Sequence, residues 1–301
     1  MLNDIVDVGY ELSSNLAPAE GEESAESLLE AAKLLPELEP WEQLAGKAVG
    51  ELAKALPAKP GIPALAPRVP PDSILQEDFL AWAPSYTGRP FNFLHCDFPY
   101  GINVFSGKLS GREAHTTYND SPDVYWSLIK CLCTNLDRLM TPSGHLMFWF
   151  SMEYYSETLE IFSELAPSLT FQKFPLIWTK SDNVGILPDP KRGPRRIYET
   201  ALIASREDRF IIRAKSNSYS SPTDKAHHHS TKPEPMLRNF FEMFVDEHTR
   251  MLDPTCGSGS ALRAAESLGA EQVLGLEKDP EHFDAASKAL RSFRTLRKVA
   301  K

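Results

Sequence analysis

Met251-Leu252-Asp253-Pro254-Thr255-Cys256-Gly257-Ser258-Gly259-Ser260 decides the fold class of this 301-residue chain. The apolar pair closing on an acid reads as the end of a buried strand. Gly257 and Gly259 mark a tight turn, and Ala261-Leu262-Arg263-Ala264-Ala265 starts a helix. Next comes Val273-Leu274-Gly275-Leu276-Glu277, a second strand that ends in an acid. Glycines at a strand-to-helix turn let a ligand approach the backbone, and an acid closing the following strand can hold a ribose diol. A plain helix start with a solvent-facing glutamate would also use a glycine pair. Glu277 lies 18 residues after Gly259, near the spacing of roughly 20 found at nucleotide sites. That spacing selects nucleoside binding on an α/β fold.

A second stretch gives the fold a chemistry. Phe91-Asn92-Phe93-Leu94-His95-Cys96 reads as a buried strand, and Asp97-Phe98-Pro99-Tyr100 follows at its end. The proline stops the strand and fixes the turn. A carboxylate and an aromatic face are left at the carboxyl edge of the sheet, where ligands bind in open α/β folds. A nicotinamide-dependent dehydrogenase would account for the glycine turn but leaves Asp97 to Tyr100 unexplained.

Together these stretches resemble the amino-methylating DNA methyltransferases, whose catalytic motif is D-P-P-Y and whose cofactor motif resembles D-P-F-x-G-S-G. The catalytic motif here precedes the cofactor motif, as in the permuted group called beta. The resemblance covers about residues 71–295 and includes Thr231-Lys232-Pro233, similar to the family's T-K-P segment. It implies a Rossmann-like methyltransferase fold with a mostly parallel sheet, S-adenosylmethionine as cofactor and DNA as substrate. Phe98 replaces the family's first proline, which implies a different pocket wall.

The resemblance also implies roles. Asp97, with the carbonyl of Phe98 or Pro99, would accept the two protons of an exocyclic amine, and Tyr100 would stack on a base rotated out of the duplex. Asp253 and the segment Thr255, Cys256, Gly257, Ser258 and Gly259 would hold the methionine end of the cofactor. Glu277 would take the ribose hydroxyls. Thr231 and Lys232 would lie near the cofactor carboxylate, and Asp78 near its adenine. Asp78 also reads as a cap for the helix opening at Phe79. The activated methyl is the cofactor's own, so no metal is expected. Adenine N6 is favoured over cytosine N4 on family frequency. Transfer to RNA, or a catalytically silent nucleic-acid-binding module, are the other readings.

Net charge is −9, an unusual sign for a DNA enzyme. Its distribution resolves the conflict. Residues 1–70 hold 12 acids and 5 bases, whereas residues 173–215 hold 10 bases and 5 acids. Phosphate binding needs only a local basic surface. Lys191, Arg192, Arg195 and Arg196, set among prolines, are expected to contact DNA, as are Lys108 and Arg112 in the long polar stretch after Tyr100.

Residues 1–56 read as an acidic helical arm, 57–71 as a proline-rich linker, and 72–301 as the catalytic domain. No inserted recognition domain is evident. That leaves room for a homodimer or a partner subunit, engaged through the N-terminal arm. No apolar run reaches the length of a membrane helix, and no secretory signal is evident, so a cytoplasmic location is expected. Cys96, Cys131, Cys133 and Cys256 read as small buried hydrophobes. His227-His228-His229 cannot converge on one ion from regular structure.

Further strands are expected at Ser73–Gln76, His145–Phe150 and Phe171–Thr179. Tyr198–Ala204 and Phe210–Arg213 read as an antiparallel hairpin on the C-terminal side. Helices are expected from Ser121 to Leu139, over Tyr155–Leu165, over Met236–Phe244 and over Glu281–Leu296.

Overall fold

The computed structural model describes residues 73–103, 119–186, 188, 191, 193–207, 209–224 and 231–299. The expected arm and linker, Lys108, Arg112, Arg192 and the three adjacent histidines lie outside the described residues.

The strands are β1 (Ile74–Leu75), β2 (Phe91–Cys96), β3 (Met140–Phe150), β4 (Leu169–Phe171), β5 (Leu176–Lys180), β6 (Tyr198–Arg206), β7 (Ser218–Ser221), β8 (Arg250–Asp253) and β9 (Gln272–Leu276). They form one sheet in the order β1-β9-β8-β2-β3-β6-β5-β7, with β4 also pairing β6. From β1 to β3 every pairing is parallel. β6 is antiparallel to both β3 and β5. The carboxyl ends of β2, β3, β5, β8 and β9 therefore share one edge of the sheet, and β6 brings its amino end to that same edge.

Seven helices cover the sheet among the described residues: α1 (Phe79–Ser85), α2 (Pro122–Thr134), α3 (Leu136–Leu139), α4 (Tyr155–Leu165), α5 (Glu234–Phe241), α6 (Ser260–Ser267) and α7 (Pro280–Val299). Successive strand residues point to opposite faces, and β3 shows the consequence. Leu146, Phe148 and Phe150 join one core with α1, α2 and α4. Met147 and Trp149 join the other, with α5, α6 and α7. The three aromatics of Phe148-Trp149-Phe150 are all core, as the sequence suggests, with no more than 1% exposure. Cys96, Cys133 and Cys256 are buried and Cys131 is half-buried, all as free thiols.

Beyond shifts of element ends, such as the helix expected over Met236–Phe244 that runs over Glu234–Phe241, the sequence reading differs from the structure in three places. Phe210–Arg213 is not a strand. Both edges of β6 are already taken, by β3 on one side and by β4 and β5 end to end on the other. The Ile212 N–H donates instead to the carbonyl of Met243 at 2.8 Å, and Phe210 is 86% exposed. The antiparallel part of the sheet is thus built on β6 without that hairpin. The expected strand Phe171–Thr179 is two short strands, interrupted where Phe174 turns to solvent. The helix from Ser121 breaks at Asn135, whose side-chain amide donates to the Cys131 carbonyl and closes α2.

Candidate active site

β2 ends at Cys96, and the next four residues turn along the carboxyl edge. Phe98 lines the cavity there, but its side chain is packed into the core. It is 1% exposed and packs against Phe79 and Phe148 at ring-centroid distances of 5.8 and 5.7 Å. Burying it contributes on the order of 2 kcal/mol. The aromatic replacement for the family's proline is an anchor into the core, which leaves the backbone to line the site.

Asp97 sits in a charged cluster. Lys232 Nζ donates to both Asp97 oxygens at 2.8 Å and contacts Glu199 Oε2 at 2.9 Å. Lys180 Nζ meets the other oxygen of Glu199 at 2.6 Å. The Tyr100 hydroxyl lies 2.9 Å from Glu199 Oε2, 3.2 Å from Asp97 Oδ1 and 3.1 Å from Lys232 Nζ. The ammonium of Lys232 also stands over the rings of Trp149 and Tyr100, 4.9 and 5.5 Å from their centroids.

Burial pushes the Asp97 carboxyl above the usual carboxylate range; Lys232 pulls it back, and Glu199 adds to the push. Burial also opposes charge on Glu199, but Lys232 and Lys180 together hold it down at about 2. For Lys232, burial works against the charge, yet the two carboxylates raise its pKa above the ordinary lysine value. The cluster therefore sets a firmly protonated Lys232 and a firmly ionised Glu199 beside one carboxylate, Asp97, whose proton affinity is raised.

A second network supports the strand ends. The Trp149 Nε1–H donates to His95 Nε2 at 3.0 Å. That fixes the imidazole proton on Nδ1, where it donates to Asp253 Oδ2 at 3.0 Å. Asp253 Oδ1 accepts the Thr255 N–H at 3.2 Å, and the Thr255 hydroxyl donates to the Asp97 carbonyl at 3.1 Å. Asp253 thus couples the ends of β2 and β8 and orders the start of the glycine turn.

Gly257 and Gly259 have φ of +49° and +71°, left-handed values that suit glycine. A side chain at Gly257 would meet nothing within 4 Å. The turn therefore presents bare backbone to open space. The Gly257 N–H donates to Glu277 Oε2 at 3.0 Å, and the Asp279 N–H to Oε1 at 2.8 Å. A carboxylate has about four lone-pair positions, so Glu277 keeps acceptor capacity for hydroxyls. Cys256 turns inward, burial raising its thiol pKa well above the usual value. The Ser258 carbonyl accepts from Arg263 at 2.8 Å, which fixes the turn to α6.

Asp78 caps α1, accepting the Leu80 N–H at 2.9 Å, and also lines the cavity. Thr231 is 9% exposed and lines it as well. Lys232 is committed to Asp97 and Glu199. Arg196 pairs with Glu153 at the cavity wall, Arg195 donates to the Asn183 carbonyl at 3.0 Å, and Lys191 is exposed.

One cavity of about 1100 Å³ joins Asp97 and Tyr100 to the glycine turn and Glu277. That is just above the usual range of about 300–1,000 Å³ for small-molecule sites, enough for a nucleoside cofactor beside a base. Glu199, Lys180, His95 and Trp149 were not found by motif reading. A buried strand that opens Tyr-Glu-Thr looks like ordinary alternation, and only the antiparallel placement of β6 puts its second residue at the carboxyl edge of its neighbours.

Residues 91–288 match the family model described as DNA methylase, in its N6/N4 class. No curated protein sequence matches. Among solved structures, M1.HpyAVI in complex with SAM aligns with TM-score 0.55 at 17% identity, over 72% of this chain and 98% of that one. The cytosine-N4-specific PvuII DNA methyltransferase aligns with TM-score 0.52 at 14% identity, over 73% and 85%. A DNA modification methylase of Thermus thermophilus, TTHA0409, complexed with S-adenosyl-L-methionine, aligns with TM-score 0.51 at 14% identity, over 73% and 95%. At these identities the likeness concerns the fold, while the family match spans most of the chain. The chain belongs to the amino-methylating N6/N4 DNA methylase family, whose methyl donor is S-adenosylmethionine.

Proposed function

We propose that the protein transfers a methyl group from S-adenosylmethionine to adenine N6 in DNA, with the base presented to Asp97. The observation that supports this reading most is the single cavity shared by Asp97, Tyr100, the glycine turn and Glu277. Adenine is the commoner target in the family that the sequence resembles. Cytosine N4 offers the same two protons to the same acceptors.

When bound, the cofactor supplies an electrophilic methyl on a sulfonium. The backbone of Gly257 to Gly259, with Asp253 behind it, would hold the methionine end. Glu277 would accept from the ribose, Asp78 would lie by the adenine, and Thr231 is available near the carboxylate.

The chain's own task is to make a poor nucleophile competent, because the amine lone pair is delocalised into the ring. Asp97 accepts one N–H of the amine and the carbonyl of Phe98 or Pro99 accepts the other. Two acceptors draw the nitrogen toward tetrahedral geometry and localise its lone pair. Positive charge develops on nitrogen during attack, beside the Asp97 carboxylate, and the proton then passes to Asp97, whose affinity for it burial has raised. This is positioning plus electrostatic stabilisation. Tyr100, tethered through its hydroxyl, offers its ring to the base.

The test is transfer from labelled cofactor to unmodified DNA, followed by digestion and mass spectrometry of the nucleosides. N6-methyladenine is expected from the wild type, and none from Asp97→Ala although that variant still binds cofactor. N4-methylcytosine would replace the base assignment. Full turnover by Asp97→Ala would overturn the role of Asp97.

A further inference from the structure

Glu199 belongs to no sequence motif of the site, yet it touches three members of the charged cluster. Its Oε2 contacts Lys232 Nζ and the Tyr100 hydroxyl, both at 2.9 Å, and its Oε1 contacts Lys180 Nζ at 2.6 Å. It reaches the cavity because β6 runs against its neighbours and delivers its amino end to the carboxyl edge. Lys180 reaches it from the last position of β5.

We infer that Glu199 is a positioning residue for methyl transfer: it seats Lys232 and Tyr100 against Asp97 and keeps the base-facing end of the cavity electrically neutral. The inference rests on the methyl-transfer reading of the site. A carboxylate held at about 2 is not the proton acceptor of the reaction, so its contribution is a fixed charge and a fixed geometry. With Glu199 ionised, the two lysines are matched by two carboxylates. Without it, Asp97 alone faces two cations, and the surplus positive charge lies where the amine nitrogen becomes cationic. A charge-assisted contact to Lys232 and the tether of Tyr100 go with it.

The groups facing Asp97 are His95 and Tyr100 from its own segment, Lys232 ahead of α5, and Glu199 from β6, with Lys180 behind Glu199. Glu199 raises the proton affinity of Asp97 and Lys232 lowers it. Two substitutions must therefore move the Asp97 midpoint in opposite directions. In carboxyl-labelled protein without DNA, carbon NMR titration of Asp97 should show a lower midpoint in Glu199→Gln and a higher one in Lys232→Met. Glu199→Asp, which restores the charge, should bring the midpoint back toward wild type. In DNA methylation by Glu199→Gln, kcat should fall by about ten- to a hundredfold, the size of one lost charge-assisted hydrogen bond, with its acid limb displaced to lower pH. An unmoved Asp97 midpoint in folded Glu199→Gln, or wild-type kcat in that variant, would overturn the inference. Wild-type protein that gives no methylated nucleoside would overturn the methyl-transfer reading instead, independently of where the midpoints lie.

Discussion

Gly275→Ala is the substitution that most directly joins the packing of the sheet to cofactor binding. Gly275 lies in β9 and hydrogen-bonds to the Ser73 carbonyl at 2.7 Å. Its φ is not in the left-handed region, so the obstacle to a side chain is space alone. A Cβ there would meet Cys256 Sγ and Leu262 Cδ1 at 2.7 Å and Cys256 Cβ at 2.9 Å. Comfortable carbon contacts are about 3.5–4.0 Å, so these neighbours must retreat by roughly 1 Å. Neither has room. Leu262 is fully buried, and Cys256 is held by its N–H to the Leu276 carbonyl at 2.8 Å. Overpacking of this kind costs about 1–3 kcal/mol, or a fall in Tm of about 2–12 °C. Cys256 immediately precedes Gly257, so the displacement passes into the turn and should weaken cofactor binding by about tenfold. Thermal unfolding and calorimetric titration with S-adenosylmethionine read the two effects. Adding Cys256→Ala removes the nearest sulfur contact while leaving Cβ and Leu262, so the double variant should recover part of both losses. A Gly275→Ala protein that melts and binds like wild type would refute the reasoning.

Lys232→Met leaves two half-buried carboxylates without their shared cation and should cost about 1–3 kcal/mol in urea unfolding at pH 7; an unchanged unfolding midpoint would show the cluster relaxing around the change. Glu277→Ala should weaken cofactor binding more than tenfold in equilibrium titration, because charge-assisted contacts of about 1.5–3 kcal/mol each are lost. His145 is buried beside Arg209, and burial, aided by that cation, lowers its pKa to about 4. The unfolded histidine takes up a proton below about 6.5 and the folded one does not, so stability should fall as pH drops from 6.5 toward 4, by up to about 3 kcal/mol. His145→Leu should flatten that slope in urea unfolding at pH 7 and pH 5. Reversing charge at Arg195 and Arg196 should weaken DNA binding and reduce its salt slope by up to about 1.8; an unchanged slope would place both outside the interface.

The parts of the site that lie at strand ends are legible as local patterns. Asp97, the glycine pair and Glu277 each follow an apolar run, and their spacing along the chain carries the message. Glu199 and Lys180 are not legible that way, since their relation to Asp97 depends on which strand neighbours which and in what direction. The same cause misplaces Phe210–Arg213. Its composition suits a strand, but strand formation needs a free edge, and β6 has none to offer. Phe98 shows a further limit: one aromatic at the motif's second position reads as pocket wall until packing reveals Phe79 and Phe148 around it. Gly275 lay in full view within its strand, but only the contact with Cys256 and Leu262 gives it a role.

The strand order has a consequence for how the protein is made. β1 and β2 are synthesised before β8 and β9, yet those two strands lie between them. Asp253, the end of β8, comes 157 residues after Cys96, a stretch that a ribosome adds in on the order of 8–30 s. Throughout that interval the nascent chain carries Phe93 and Leu94 on a strand whose future neighbour, β8, has not emerged. An unpaired apolar edge is a template for wrong pairing, so chaperone occupancy during translation should be concentrated on this segment. The glycine turn that follows β8 and the Asp97 edge that follows β2 can meet only after β8 has been made and has filled the gap.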